Sequence, residues 1–143
     1  MIYAESSVLA ALVMHDSNTG NALELVAGLD RPLFFNRLLK LEVCNAIRLN
    51  VAAGKIDEVT AAKSERSIEN LLRSGEWVEV EPVWERVFQR ALGFSKAHTS
   101  LKRTRSFDIL HVAVAVELNA SEFWSFDKWQ RSLATEVGFR VNP

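Results

Sequence analysis

Residues 107–141 read FDILHVAVAVELNASEFWSFDKWQRSLATEVGFRV, and the fold turns on how this stretch is parsed. Ser106 precedes FDILHVAVAVEL, a run that is apolar almost all round, as expected of a helix buried on most sides. Phe123–Phe126 is a short apolar run, predicted as a strand. Asp127 and Gln130 make the D-x-x-Q spacing of a capping box. They open the helix KWQRSLATEV, which Gly138 stops. Phe139–Val141 reads as a last short strand. Helix, strand, helix and strand in this order are the makings of parallel βαβ units.

The rest of the chain extends the pattern. Met1–Ala4 reads as a buried strand, and Ser6 or Ser7 can cap a helix running to about Met14. A helix is predicted from about Thr19 to Leu29 and a strand over Pro32–Phe35. A long helix follows from Arg37 to Ala53, closed by Gly54. Another starts at Asp57 or Thr60 and ends near Gly75. Trp77–Val80 alternates as a strand. Val83 to about His98 is helical, and Ser95 to Arg105 reads as a helix end and loop. The expectation is an α/β fold of three layers, α/β/α, with a short, mostly parallel central sheet. The 143 residues suit a single domain spanning 1–143.

Composition narrows the class. The chain is 48% hydrophobic and 24% charged, with a net charge of -1. It has no overall basic character, although a local basic patch beside an acidic site would cancel in the sum. Cys44 is the single cysteine, so an internal disulfide or a cysteine zinc site is excluded. The opening MIYAESSVLAALVMHD lacks a basic leader. No apolar run reaches the ~18–20 residues that span a bilayer. A cytoplasmic protein without membrane attachment is expected.

In parallel sheets, sites form beyond the carboxyl ends of the strands. Four acids fall there. Glu5 ends the first strand, and Asp127 ends the fourth. Asp108 lies in the first turn of the apolar helix, on a face that continues through His111, Val112 and Ala115. Glu42 lies inside the long helix with Leu38, Asn45, Ala46 and Leu49 at helical spacing. That reads as an inward stripe, where a carboxylate is costly unless paired, hydrogen-bonded or bound to metal. Each acid also has a plainer reading. Asp127 can be a cap, Asp108 a dipole partner after Ser106, Glu5 a solvated strand end, and Glu42 half of an ion pair. Their occurrence together is what points to a site.

Taken together, IYAESSVLAAL, KLEVCNAIR and the C-terminal stretch above resemble the PIN domain family. The shared features are a strand delivering an acid followed by Ser and a helix, then a helical acid followed three residues later by Asn. The third is D-x-L-H-x-A with a strand ending in S-F-D. The resemblance covers the whole chain. It implies a metal-dependent endoribonuclease that hydrolyses RNA phosphodiester bonds with water activated by Mg²⁺ or Mn²⁺. Many small bacterial members are VapC-type toxins of toxin–antitoxin pairs, so a cognate antitoxin, an RNA substrate and a homodimer are implied. Glu5, Glu42, Asp108 and Asp127 would be the catalytic acids. Glu5, Asp108 and Asp127 would hold metal, and Glu42 would position water. Ser7, Asn45 and Ser125 would be accessory polar groups.

One position departs from the family. Members usually carry Asp where this chain has Glu5, whose carboxylate reaches roughly 1.5 Å further, and Mg²⁺ tolerates little displacement. The alternative is therefore a catalytically impaired PIN module that binds RNA or a protein partner. A phosphoacceptor domain ranks behind both, because the chain offers no clear strand-end Lys.

A polyanionic substrate needs nearby cations. Lys96, Lys102, Arg103 and Arg105 stand in an acid-free run leading to Asp108, and Arg37, Lys40 and Arg48 flank Glu42. The run could equally be a solvated loop. His111 reads as a hydrogen-bonded core histidine rather than a base. His98 has no recognisable partner in the sequence.

Overall fold

A strand of three residues, β1 (Ile2–Ala4), stands at the centre of the sheet because all three of its side chains are buried. The computed structural model describes residues 1–102 and 104–143, the side chains of 99–102 excepted. After β1 come α1 (Ser6–Met14), α2 (Thr19–Val26), β2 (Leu33–Phe35), α3 (Arg37–Ala52), α4 (Glu58–Ser74) and β3 (Trp77–Glu79). They are followed by α5 (Trp84–Lys102), α6 (Ser106–Glu117), β4 (Glu122–Trp124), α7 (Lys128–Glu136) and β5 (Arg140–Asn142).

The sheet order is β3-β2-β1-β4-β5, and every adjacent pair is parallel. The sheet is thus wholly rather than mostly parallel. Parallel crossovers are right-handed almost without exception. The chain steps one way from β1 through β2 to β3, then crosses to β4 and steps the other way to β5. That reversal puts α1–α4 on one face and α5–α7 on the other. The helix contacts divide accordingly, with α1 against α2, α3 and α4, and α5, α6 and α7 against one another. Burial on both faces explains why β1 and β2 carry no alternation.

Several local expectations are corrected. Helix α5 runs on to Lys102 instead of ending near His98. Phe94 and His98 meet along it with ring centroids 6.1 Å apart, and His98 Nδ1 pairs with Glu136 of α7 at 3.0 Å. These contacts hold the polar stretch helical and give His98 a partner. Helix α2 stops at Val26, short of Leu29. The stripe around Glu42 faces inward only in part: Leu38 is buried, but Asn45 is exposed and Leu49 is 60% exposed. The buried residues of α3 are Leu38, Leu39, Val43 and Ile47.

The order reversal between β1 and β4 creates the crevice in which open α/β sheets place ligands. A separate cleft of about 390 Å³ opens at the other end of the sheet, beside Leu33 and Trp77, which begin β2 and β3.

Candidate metal centre

Glu5 occupies that crevice. Its backbone N–H donates to Trp124 O at 2.8 Å, extending the β1–β4 ladder by one bond. Its side chain is only 4% exposed. Ser6 Oγ donates to Oε1 at 2.6 Å. Ser7 Oγ donates to Oε2 at 2.6 Å, and Ser125 Oγ lies 3.0 Å from the same oxygen. Ser6 and Ser7 were expected as helix caps. Glu5 itself is the N-cap residue of α1, without a side-chain cap bond, because both hydroxyls turn to its carboxylate. The longer acid is thus held inward by hydroxyls that donate to both of its oxygens.

Glu42 approaches from α3. Its side chain is 24% exposed. It finds no arginine from its own helix: Arg37 pairs with Glu81, and Arg48 with Glu58 and Glu65. Instead, Glu42 Oε2 lies 2.5 Å from His111 Nε2. Burial pushes the Glu42 carboxyl up, but hydrogen bonds from His111 and Ser6 and the His111 charge carry it below its ordinary value of 4.5. His111 is fully buried on α6, and its Nδ1 meets Tyr3 Oη at 2.8 Å. Burial drives the Tyr3 phenol well above its usual range. The Asn36 amide works against that shift, and the charges of Glu5 and Glu42 add to it. Ligand atoms of Glu5, Glu42 and His111 all fall within 4.8 Å of one another.

The two aspartates are arranged differently. Asp127 lies three residues beyond the end of β4 and caps α7, its Oδ1 accepting from Trp129 N at 2.7 Å and Gln130 N at 3.0 Å. The capping box is not completed: Asp127 N–H donates to Ser125 Oγ at 2.9 Å, and the Gln130 amide turns elsewhere. Gln130 Nε2 donates to Asp108 Oδ1 at 3.1 Å, while Gln130 Oε1 lies 3.1 Å from Ser125 Oγ. The other oxygen of Asp108 accepts from Arg105 N at 2.8 Å. Arg105, not Ser106, is the N-cap residue of α6. Asp108 and Asp127 are therefore joined to Glu5 through Ser125 and Gln130, and neither belongs to the 4.8 Å group.

Of the accessory residues, Ser7 and Ser125 both touch Glu5. Ser7 Oγ also accepts from Phe126 N at 3.1 Å, tying β1 to the β4–α7 loop. Asn45 is exposed on α3, one turn beyond Glu42. Lys96 and Arg105 are exposed; the side chains of Lys102 and Arg103 lie outside the described residues. The sequence reading missed Tyr3, Ser6 and Gln130. It also missed Arg131, whose guanidinium donates to Ser125 O at 2.8 Å. Period-two alternation from Glu5 leads back to Tyr3, and the D-x-L-H spacing leads to His111. No local signal tied His111 to Glu42.

Two buried or half-buried carboxylates at this spacing repel one another unless neutralised, and His111 meets only one of them. Carboxylate oxygens suit hard divalent cations, so this donor set fits a metal of that kind. The PIN domain family model matches residues 2–136, and the chain belongs to the PIN domain family. Among solved structures, the chain is similar to VapC20 of Mycobacterium tuberculosis, a sarcin-ricin loop cleaving toxin. That match has 18% identity over 100% of both chains and a TM-score of 0.70. It is also similar to VapBC2 from Rickettsia felis, solved bound to a DNA fragment from their promoter. There the identity is 14%, over 99% of this chain and 98% of that one, with a TM-score of 0.60. At these identities the likeness speaks for the fold. Comparison with curated proteins gives no match. No helix among the described residues is long and apolar enough to cross a membrane.

Proposed function

We propose that this single PIN domain is a divalent-metal-dependent endoribonuclease and the toxin of a toxin–antitoxin pair, working as a homodimer restrained by its antitoxin. The observation that carries the nuclease reading is the convergence of Glu5 and Glu42 at the β1–β4 crevice. It is supported by the side chains of Ser125 and Gln130, which stand between Glu5 and Asp108. Family membership supports the reaction class, and the VapC neighbours support the toxin reading.

Glu5, Asp108 and Asp127 would hold Mg²⁺ or Mn²⁺. The bound cation supplies acidification of water and relief of charge at the scissile phosphate. The protein's own work is positional. Ser6, Ser7 and Ser125 hold the Glu5 carboxylate in place. Glu42, ionised at neutral pH, has one oxygen taken by His111 and offers the other as a proton acceptor for the attacking water. Lys96, Lys102, Arg103 and Arg105 would meet the RNA backbone, whose recognition depends on cations.

The test is cleavage of a mixed RNA pool in Mg²⁺, Mn²⁺ or EDTA, with Asp108→Asn purified identically. Metal-dependent cleavage absent from the variant supports the nuclease. Equal behaviour of the two proteins would make the chain a binding module, with Glu5 the first suspect for lost catalysis.

A further inference from the structure

Glu42 is the acid of the site whose position owes most to a residue outside the acidic set. It arises from mid-helix, so no strand end or cap fixes it. Its neighbouring arginines are engaged by other acids. Of the hydrogen bonds on its carboxylate, the one from His111 reaches across 69 residues of sequence at 2.5 Å.

The protons along this path can be assigned. An ionised carboxylate only accepts, so His111 Nε2 carries the hydrogen directed at Glu42. The other nitrogen, Nδ1, meets the Tyr3 hydroxyl, accepting from it in a neutral ring and donating to it in a charged one. The Tyr3 ring cannot swing away, because it stacks on Phe123 with centroids 5.7 Å apart and planes 17° from parallel. The imidazole is fully buried and gripped at both nitrogens. Tyr3 also lies two residues before Glu5 on the same strand, so one element sets both carboxylates.

We propose that His111, oriented by Tyr3, is a positioning residue for Glu42, pinning one carboxylate oxygen so that the other, with its negative charge, faces the cation that Glu5, Asp108 and Asp127 would hold. This rests on the nuclease reading for its consequence, though the hydrogen-bond assignment stands apart from it. Partners that orient a site's acids and ligands are typically worth about 10–100-fold in metal affinity or activity. Even about 1 Å of displacement is costly in rate.

Two measurements test it. Histidine nitrogen shifts in ¹⁵N-labelled, metal-free protein should show a hydrogen on His111 Nε2; a bare Nε2 would overturn the assignment. Mn²⁺ binding followed by electron paramagnetic resonance then separates positioning from packing. His111→Gln keeps a donor near the Nε2 position and should bind Mn²⁺ within about threefold of wild type. His111→Asn is too short to reach Glu42 and should bind at least about tenfold more weakly. Tyr3→Phe, which keeps the ring and its stacking, should weaken binding by a few-fold and covers the case in which a His111 variant fails to fold. Equal affinity in wild type, His111→Asn and Tyr3→Phe would sink the proposal. So would ¹⁴N coupling to bound Mn²⁺, since the imidazole would then be a ligand itself. A wild-type chain that bound no Mn²⁺ would remove both this role and the nuclease reading. Binding without RNA cleavage would remove the nuclease reading alone.

Discussion

The two halves of the acidic site are held by different parts of the protein. Glu5 and Glu42 are held by side chains: three hydroxyls on one carboxylate, an imidazole on the other. Asp108 and Asp127 are held largely by backbone amides at the starts of α6 and α7. Backbone amides would be there whatever the function, so the aspartates contribute to stability as well as to chemistry. The hydroxyls and the imidazole serve carboxylates that the fold does not otherwise need. Replacing an acid in the first half should therefore affect activity with little effect on folding, whereas in the second half the two are entangled.

Glu42→Gln is the hardest blow to that contrast. The amide oxygen can still accept from His111 while the charge is gone. RNA cleavage should fall by about 10²–10⁴-fold, the range for a lost proton acceptor, with the thermal midpoint within a few degrees of wild type. A large loss of stability would break the comparison. Asp127 comes next and needs two variants. Asp127→Asn keeps a good cap and should lose about 100-fold in cleavage, the upper end of what a displaced metal environment costs, at nearly unchanged stability. Asp127→Ala should lose as much activity and about 1 kcal/mol of stability in urea melts. If Asp127→Asn cleaves normally, Asp127 is a cap and no more.

Ser125→Ala tests the joint between the halves, because this buried hydroxyl touches Glu5, Gln130 and Asp127 N. Cleavage should drop about tenfold, and unfolding should become easier by roughly 1 kcal/mol as a half-buried N–H loses its acceptor. The smallest expected effect concerns pH. The Glu42 carboxyl is lowered from 4.5 in the folded chain. Its contribution to stability is then full above that value and is lost as pH falls through the depressed folded one. In EDTA, the stability difference between wild type and Glu42→Gln should be level from pH 6 to 8 and shrink below about 4.5.

The halves also differed in how far they could be read from the chain. Glu5 and Asp127 stand at the ends of apolar strands, where parallel sheets gather ligands, so pattern alone placed them near a site. The cap role of Asp127 was legible from D-x-x-Q, but the direction of the Gln130 amide was not, because it depends on Asp108 arriving from another helix. Glu42 drew attention through a stripe that is inward only at its Leu38 end, with Leu49 exposed and Val43 and Ile47 facing the core. Its true partner, His111, belongs to a separate helix, and no periodicity links positions so far apart. The strands and most helices were visible as apolar runs between caps and glycines. The far end of α5 was not, because the polar stretch from Ser95 to Arg105 read as a helix end and loop, and the Glu136 that pairs with His98 belongs to another helix.

The placement of β1 at the centre of the sheet has a consequence during synthesis. Its neighbour β4 lies about 120 residues later in the chain, and a ribosome adds roughly 5–20 residues each second. For several seconds a growing chain holds Glu5 with no Ser125 or Asp127 to join it. The acids can assemble only once β4 has left the exit tunnel. A nuclease wired in this way would stay inert on the very machine that makes it, up to nearly its last helix.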